Sequence, residues 1–159
     1  MTKHPKLQFM QAAIDLSAEA VGDDAGGPFG AIVVRGAEVV GRGRNRVLVD
    51  KDPSAHAEIL AIRDACRNVG DHRLAGCVVY SSSEPCPMCM AALYWARVEH
   101  VYFGNHREDA AAIGFDDEWL YRELGLALES RSLEMSQLMR DEAKAVLDRW
   151  HARPDAIHY

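Results

Sequence analysis

Ser83-Glu84-Pro85-Cys86-Pro87-Met88-Cys89 is the stretch that decides how the rest of the chain is organised. Its two thiols lie three residues apart, and Pro87 suits the first turn of a helix, where a missing N–H is not needed. Exposed N–H groups and the helix dipole favour thiolates near a helix N-terminus. By itself the pair fits a structural zinc knuckle, a redox pair or part of a catalytic metal site.

A histidine and a carboxylate upstream favour the catalytic interpretation. His56-Ala57-Glu58 supplies a third metal ligand, His56, and a glutamate that is not needed as a ligand. Structural zinc sites use four protein ligands, whereas catalytic sites keep one position for water. His56, Cys86 and Cys89 therefore predict an open zinc site, where the pKa of bound water falls from about 15.7 to about 7. Glu58 can then move a proton from that water to a leaving amine. Taken singly, a buried glutamate or a lone histidine is more often a structural hydrogen-bonding group.

The cysteine content indicates reduced thiols. Cys66 and Cys77 fall on a helix face and in a strand, where free cysteine usually acts as a small buried hydrophobe. The first five residues, Met1-Thr2-Lys3-His4-Pro5, open onto a polar stretch, so no secretory signal is expected. Four cysteines without such a signal indicate metal binding rather than disulfides. We expect a cytoplasmic protein, because no apolar run is long enough to span a bilayer.

The length of the chain predicts the number of domains, and its net charge limits the classes of molecule that it can bind. A chain of 159 residues fits one domain, residues 1–159. Its net charge of −6 offers no electrostatic footprint for a phosphate backbone, for which a basic patch is expected. We therefore predict a small-molecule substrate, with no nucleic-acid and no membrane partner.

Hydrophobic periodicity predicts alternating helices and strands. Helices are predicted over residues 6–21, 54–68, 86–96 and 141–151, with a short one around Trp119. In the second of these, Ser54 is the expected N-cap, the end is at about Asn68, and Gly70 is the stop. Strands are predicted over residues 29–35 and 38–44, which form a hairpin, over 77–82 and 100–103, and weakly over 131–137. This order predicts an α/β fold of three layers, α-β-α, with a mixed five-stranded sheet. In such sheets, sites form beyond the carboxyl ends of strands.

Together, His-x-Glu and Pro-Cys-x-x-Cys form the signature of zinc deaminases that act on nucleobases. The chain resembles the cytidine deaminase superfamily and, within it, the bacterial guanine deaminases. The resemblance covers roughly residues 26–117, and the terminal Tyr159 also matches, whereas residues 124–157 match weakly. Its blocks are Gly27-Pro28-Phe29-Gly30-Ala31, Asn45, Ala55-His56-Ala57-Glu58, Glu84-Pro85-Cys86-Pro87-Met88-Cys89, Tyr94-Trp95-Ala96-Arg97 and Gly114-Phe115-Asp116-Asp117.

That resemblance implies a cytidine-deaminase-like fold with one Zn²⁺ per subunit and hydrolysis of guanine to xanthine and ammonia. Glu58 would be the first proton shuttle, and Asp117 a second acid/base beside the leaving amine. The residues implied to contact substrate are Phe29, Asn45, Ala57, Trp95 and Tyr159. The resemblance also implies a homodimer in which the C-terminal segment, about residues 127–159, is swapped between subunits, so that Tyr159 enters the partner's site.

Other interpretations stay open at this point. Phe29 and Trp95 fit plain core positions, Asp117 fits a helix N-terminal charge, and Tyr159 fits a frayed chain end. A tRNA adenosine deaminase, or a deaminase of cytosine or another small-ring amine, would carry the same zinc motif. A non-catalytic zinc-stabilised module would explain the ligands but not Glu58.

Overall fold

A computed structural model describes residues 6–22 and 24–158. The chain divides into two compact units, Met1–Arg122 and Glu123–Tyr159. The described strands are β1 (Gly30–Arg35), β2 (Glu38–Arg44), β3 (Cys77–Ser83) and β4 (His100–Asn105). The described α-helices are α1 (Leu7–Gly22), α2 (Val47–Asp50), α3 (Ala57–Val69), α4 (Pro87–Trp95), α5 (Arg107–Ala112), α6 (Asp117–Gly125) and α7 (Arg140–His151).

The strands form one mixed sheet in the order β2-β1-β3-β4. Strand β1 pairs antiparallel with both β2 and β3, and β3 pairs parallel with β4. Val33 lies opposite Gly41 on one side and Val79 on the other, and a bulge follows it in the pairing with β2. The predicted hairpin and the two following strands are therefore confirmed.

The predicted fifth strand is wrong. Residues 131–137 form no strand, and a short 3-10 helix, Leu128–Ser130, precedes them. The backbone N–H and hydroxyl of Ser132 both donate to the carboxylate of Glu123 at 2.8 Å. The Arg131 side chain donates to the carbonyl oxygens of Leu124 and Leu126 at 3.1 Å. These bonds hold residues 131 and 132 against residues 123–126, which precede them in the chain. The weak β propensity of residues 131–137 does not oppose this local structure.

Helices cover both faces of the sheet, as the alternation of elements predicted. One face packs against α1 through the buried residues Phe9, Ala13, Ile32, Val34, Val78 and Tyr80. The opposite face packs against α3 and α4 through the buried residues Ala31, Val33, Ala57, Ala61, Ala65, Cys77, Val79, Leu93 and Ala96. Successive strand residues thus alternate between the two cores, as the two-residue period of a strand requires.

Helix α3 lies unusually close to β2. A Cβ at Gly43 would collide with the carbonyl oxygen of Ala57, and one at Gly41 would lie 2.5 Å from the carbonyl oxygen of Ala61. Only glycine leaves room for this approach. The close packing fixes the N-terminal end of α3 against the sheet.

The start of α3 differs from the prediction. His56, and not Ser54, is the N-cap residue, and Gly70 with φ of 73° ends the helix as predicted. Ser54 is not the cap because its N–H and hydroxyl both donate to the Asp52 carboxylate, at 2.8 Å and 2.7 Å. The resulting turn places His56 at the helix start.

Helix α3 also closes the outer edge of β2. The Asp64 carboxylate accepts the backbone N–H of Arg42 at 3.0 Å, and the Asn68 amide donates to the carbonyl oxygen of Val40 at 2.9 Å. Side chains thus satisfy edge groups that another strand would otherwise pair.

The C-terminal unit is built differently. None of its described residues, 123–158, is buried. Helix α7 exposes Val146, Leu147 and Trp150 at 52%, 68% and 38%. Within the described part of the chain, no helix is both long and apolar enough to cross a membrane.

Candidate active site

Three metal-ligating side chains converge where β3 ends and α3 and α4 begin. His56 is the N-cap of α3, Cys86 is the N-cap of α4 with Pro87 at its first position, and Cys89 lies one turn further on. The candidate ligand atoms of His56, Cys86 and Cys89 all lie within 4.8 Å of one another. Two helix N-termini therefore bring the two sequence motifs together beyond the carboxyl end of a strand, where sites of α/β sheets form.

The donor set fits zinc. His56 Nδ1 lies 3.6 Å from the sulfur of Cys86 and 3.6 Å from the sulfur of Cys89. Tetrahedral zinc, with sulfur at about 2.3 Å and nitrogen at about 2.0 Å, requires a nitrogen–sulfur separation of about 3.6 Å. One nitrogen and two sulfur ligands leave one tetrahedral position for water.

The protonation of the ligands favours a cation. A hydrogen bond with Cys89, together with one to His56, lowers the pKa of the Cys86 thiol to about 4. The hydrogen bond with Cys86 raises the pKa of His56 above its usual value, against the effect of burial. The same Cys86–Cys89 bond, burial and the Glu58 carboxylate raise the pKa of Cys89. Of the two cysteines, Cys86 therefore ionises more readily, and a thiolate is the form that binds a metal ion.

Glu58 lies beside the ligands but is not one of them. Its side chain is buried, at 5% exposure, in the first turn of α3. Oε1 accepts a hydrogen bond from the Ser81 hydroxyl at 3.0 Å, and Oε2 accepts one from the Cys89 thiol at 3.4 Å. Burial raises the pKa of this carboxyl, and the charge of Cys86 adds to the effect. A carboxyl with a raised pKa is suited to taking and returning a proton near neutral pH.

A cavity of about 410 Å³ opens beside the metal ligands, and two of them, His56 and Cys86, line it. Its walls come from the loop before β1, the segment around α2, the two motif loops and the start of α6. The described lining residues are Gly26, Gly27, Pro28, Phe29, Asn45, Val47, Leu48, Pro53, His56, Glu58, Ser83, Glu84, Cys86, Phe115 and Asp117. Such a volume is in the range of small-molecule sites.

Asn45 is fixed by the backbone around it. The side chain is buried, and its Oδ1 accepts the backbone N–H of Gly27 at 3.2 Å and that of Val47 at 3.1 Å. A Cβ at Gly26 would collide with the same oxygen, which explains the glycine there. Because the oxygen is held by backbone donors, the group that Asn45 can offer a ligand is its Nδ2 donor.

Two aromatic rings and a second carboxylate complete the wall. Phe29 meets Phe115 edge to face, with ring centroids 5.0 Å apart. The Asp116 carboxylate accepts the backbone N–H of Trp119 at 3.1 Å and so caps α6. Asp117, the first residue of α6, lines the cavity, and burial and the charge of Cys86 raise the pKa of its carboxyl.

Three of the residues predicted to bind substrate are not among the described cavity walls. Ala57 is fully buried in the core between the sheet and α3. Trp95, the last residue of α4, is 62% exposed and does not line the cavity within this chain. Tyr159 lies outside the described residues.

Sequence reasoning missed several residues of this region. It assigned no role to Ser81, the partner of Glu58, because a serine inside an apolar strand gives no sign of what it faces. It quoted Glu84 and Phe115 only as parts of motifs. It gave no role to Arg107, whose guanidinium donates to Glu84 at 2.6 Å from a distant segment of the chain.

Comparison with known proteins agrees with this geometry. Residues 3–105 match the family model of the cytidine and deoxycytidylate deaminase zinc-binding region. A guanine deaminase of Bacillus subtilis is 40% identical over 142 residues, which cover 89% of this chain and 91% of the relative. A tRNA-specific adenosine deaminase of Haemophilus influenzae is 35% identical over 152 residues, with 86% of each chain covered.

Solved structures agree as well. The X-ray structure of Bacillus subtilis guanine deaminase has a TM-score of 0.94 and 37% identity, and the match covers 98% of this chain and 99% of that one. The crystal structure of a mutant of the protein NE0047 in complex with 8-azaguanine has a TM-score of 0.65 and 33% identity to this chain. The match covers 91% of this chain and 83% of that one. The family match and the His-Cys-Cys geometry together confirm the predicted zinc site. The chain is a member of the cytidine and deoxycytidylate deaminase family.

Proposed function

We propose that this protein is a zinc-dependent hydrolase that deaminates guanine to xanthine and ammonia. The observation that carries the proposal is the buried Glu58 carboxylate, which lies against a three-ligand metal site at the floor of a cavity sized for a small molecule. A structural zinc module would need neither an open ligand position nor this carboxylate. The similarity to a guanine deaminase over nearly the whole chain supports the choice of substrate.

Glu58 is proposed as the first proton shuttle. When bound, zinc supplies a Lewis acid that makes a water ligand acidic near neutral pH. Ser81 holds Oε1 of Glu58, so the carboxylate keeps one orientation toward the cysteine ligands. Its raised pKa allows the carboxyl to accept a proton and then to deliver it to the purine.

Asp117 is proposed as the second acid. Ammonia is a poor leaving group unless the departing nitrogen is protonated. Asp117 lines the same cavity as Glu58, and burial raises the pKa of its carboxyl, so that it holds a proton more readily than an exposed aspartate does. With two carboxyl groups in one cavity, Glu58 can take a proton from the water and Asp117 can give one to the leaving amine.

The walls suit a flat, uncharged ring. Phe29 and Phe115 provide an apolar surface, and Asn45 provides an amide donor for a ring acceptor. Ala57, Trp95 and Tyr159 are further proposed contacts: Ala57 through its backbone, because its side chain is fully buried, and Tyr159 from a second subunit. The structure that holds 8-azaguanine, a guanine analogue, supports a purine base as the ligand class.

The rival function is adenosine deamination in tRNA. Its support is the similarity to the Haemophilus enzyme and a separate groove at the β2 edge, where Arg42, Arg44, Arg46, Arg63 and Arg67 lie among the walls. Three of these arginines already pair with nearby aspartates, at 2.8 Å to 3.8 Å. The described walls of the cavity at the metal ligands carry the carboxylates Glu58, Glu84 and Asp117 and no lysine or arginine. Such walls oppose a phosphate backbone, which binds through cationic contacts.

The C-terminal segment suggests how two chains would associate. We infer a homodimer that exchanges its C-terminal segment, residues 127–159, so that Tyr159 reaches the partner's cavity. The support is the exposure of apolar side chains in this segment, for which a partner surface is the ordinary explanation.

An ammonia-release screen tests the substrate. The zinc-loaded protein is offered guanine, adenine, cytosine, guanosine and a tRNA anticodon stem-loop that contains adenosine. We expect release from guanine at a kcat/KM at least about tenfold above every other candidate, since a pocket that hydrogen-bonds its substrate rejects bases with the wrong edge. Turnover of the stem-loop without turnover of guanine would establish the rival function instead.

A further inference from the structure

Helix α6 places a proposed catalytic group although few contacts hold the helix. It begins at Asp117, and none of its residues, Asp117–Gly125, is buried. Most helices in proteins are held by packing of an apolar face. The position of the Asp117 carboxyl must therefore depend on a small number of specific contacts.

One of these contacts is made by Tyr121. Its hydroxyl donates to the carbonyl oxygen of Pro85 at 3.0 Å, and Pro85 immediately precedes the metal ligand Cys86. Residues four apart share one face of a helix, so Tyr121 and Asp117 project toward the same side. The Tyr121 hydroxyl thus ties α6 directly to the loop that carries the metal ligands.

The guanidinium group of Arg107 packs against the Tyr121 ring. Its guanidinium carbon lies 4.4 Å from the centroid of the Tyr121 ring. The same guanidinium donates to Oε1 of Glu84 from Nε at 3.1 Å and from Nη2 at 2.6 Å, and the Arg107 backbone N–H donates to Oε2 at 3.2 Å. Two guanidinium donors fix the plane on which the Tyr121 ring rests, and the backbone donor fixes the Arg107 main chain against the same carboxylate.

Glu84 completes the connection. Its side chain is 17% exposed, it lines the cavity, and its backbone N–H donates to the carbonyl oxygen of Asn105 at 2.8 Å. The loop before the metal ligands, the end of β4 and the middle of α6 are therefore joined by one chain of polar contacts.

We propose that Arg107 and Tyr121 are positioning residues that set the Asp117 carboxyl relative to the metal ligands, a role that rests on the proposed function of Asp117. Apart from the Tyr121 hydroxyl, the contacts next to the start of α6 are the packing of Phe115 on Phe29 and a hydrogen bond from the Phe115 backbone N–H to the carbonyl oxygen of Ala110 at 3.0 Å. Displacement of a catalytic group by about 1 Å can lower a rate by about 10²-fold, so even a small rotation of α6 is measurable.

A double-mutant cycle tests the proposal. Tyr121→Phe removes the hydroxyl and keeps the ring over Arg107; we expect kcat for guanine to fall about 3- to 10-fold, the effect of one lost hydrogen bond, with KM little changed. In an Asp117→Asn background the same change should have no further effect on kcat, because no carboxyl remains to be positioned. Additive losses in the two backgrounds would overturn the proposal.

A second readout separates positioning from damage to the metal site. Tyr121→Phe should leave zinc content and resistance to a chelator unchanged, whereas hydrogen exchange of the α6 amides should accelerate and that of α4 should not. Zinc loss would overturn the proposal, because the role of Tyr121 would then lie with the Pro85–Cys86 loop. Unchanged kcat despite faster exchange would overturn it as well.

Matched variants complete the design. Tyr94→Phe removes a hydroxyl from a ring that is 72% exposed on α4, and it should leave kcat unchanged. Arg107→Lys keeps the charge but loses the planar fork, so we expect the same 3- to 10-fold fall in kcat, absent again in the Asp117→Asn background. If the unmodified protein does not turn over guanine, the proposed function fails; the cycle is then run with the amine that the screen identifies, and the exchange experiment stands unaltered.

Discussion

The two compact units of this chain treat apolar side chains in opposite ways. In the first unit, Ile32, Val33 and Val79 are fully buried between the sheet and its helices. In the second, none of residues 123–158 is buried, and Leu133, Leu138 and Leu147 are 73%, 84% and 68% exposed. The first unit thus has its own hydrophobic core and also contains every described candidate catalytic residue. The second unit presents apolar surface that only a further surface can bury. The candidate catalytic residues and the most exposed apolar segment therefore lie in separate parts of the sequence.

Glu58→Gln is expected to have the largest effect, and it acts in the first unit alone. The amide cannot take a proton, so guanine turnover should fall about 10²- to 10⁴-fold while zinc remains bound. Ammonia release and metal analysis measure the two quantities. Glu38→Gln, at the exposed start of β2, is the matched control and should keep full activity. A fully active Glu58→Gln protein would contradict the mechanism.

Leu147→Asp tests whether the second unit is covered by a partner. Leu147 is 68% exposed in the single chain, where such a change should be nearly neutral. If the apolar side of α7 is buried in a dimer, an unpaired carboxylate there should raise the dimer dissociation constant roughly 10- to 100-fold. Sedimentation analysis measures the shift. Ala145→Asp introduces the same charge on the opposite side of α7 and should leave the dimer intact; equal behaviour of both variants would refute the proposed interface.

A pair of glycine substitutions compares the packing of the two units directly. Gly43→Ala forces a Cβ against the Ala57 carbonyl oxygen, so we expect the free energy of unfolding to fall by about 1–3 kcal/mol. Gly125→Ala, at the end of α6, meets nothing within 4 Å and should be neutral or stabilising by up to about 1 kcal/mol. Denaturant unfolding of both variants measures the contrast, and a destabilised Gly125→Ala protein would show hidden packing in the second unit.

The smallest effect is expected from Lys144→Ala on α7. Lys144 pairs with Asp148 one turn later at 2.6 Å, but the two side chains are 52% and 62% exposed. Exposed pairs at this spacing contribute about 0.3–0.5 kcal/mol, so the free energy of unfolding should hardly change. A loss above about 1 kcal/mol in urea unfolding would indicate that this face of α7 is also buried in the assembly.

The parts of this structure that sequence predicts are those in which chemistry or local periodicity restricts the residue type. Zinc accepts few ligands, so His56, Cys86 and Cys89 are recognisable from their spacing, and Glu58 follows from the need for a proton carrier. Five of the seven described α-helices and the four strands follow from hydrophobic periodicity, whereas the short helices α2 and α5 were not predicted. Ser54 looked like a cap but is bound by Asp52, and residues 131–137 looked like a strand but bond locally. In both cases hydrogen bonds to a nearby carboxylate compete with the predicted local structure.

What the sequence could not predict consists of contacts between distant segments. Ser81 meets Glu58 across 23 residues, and Tyr121 meets Pro85 across 36. Neither pair has a fixed spacing or a composition that marks it in advance. Their geometry depends on how α3 packs on the sheet and how α6 meets the loop at Pro85, which local patterns do not determine. For the same reason Trp95, which looked like a pocket or core residue, lies mostly exposed at the end of its helix.

The closed edge of β2 has a consequence for aggregation. Exposed strand edges are templates onto which another chain can add, and Asp64 and Asn68 occupy two of the edge groups that such a chain would need. Any growth of this sheet by strand addition is therefore directed away from β2. Asp64 and Asn68 thus protect the β2 edge of the sheet against strand addition.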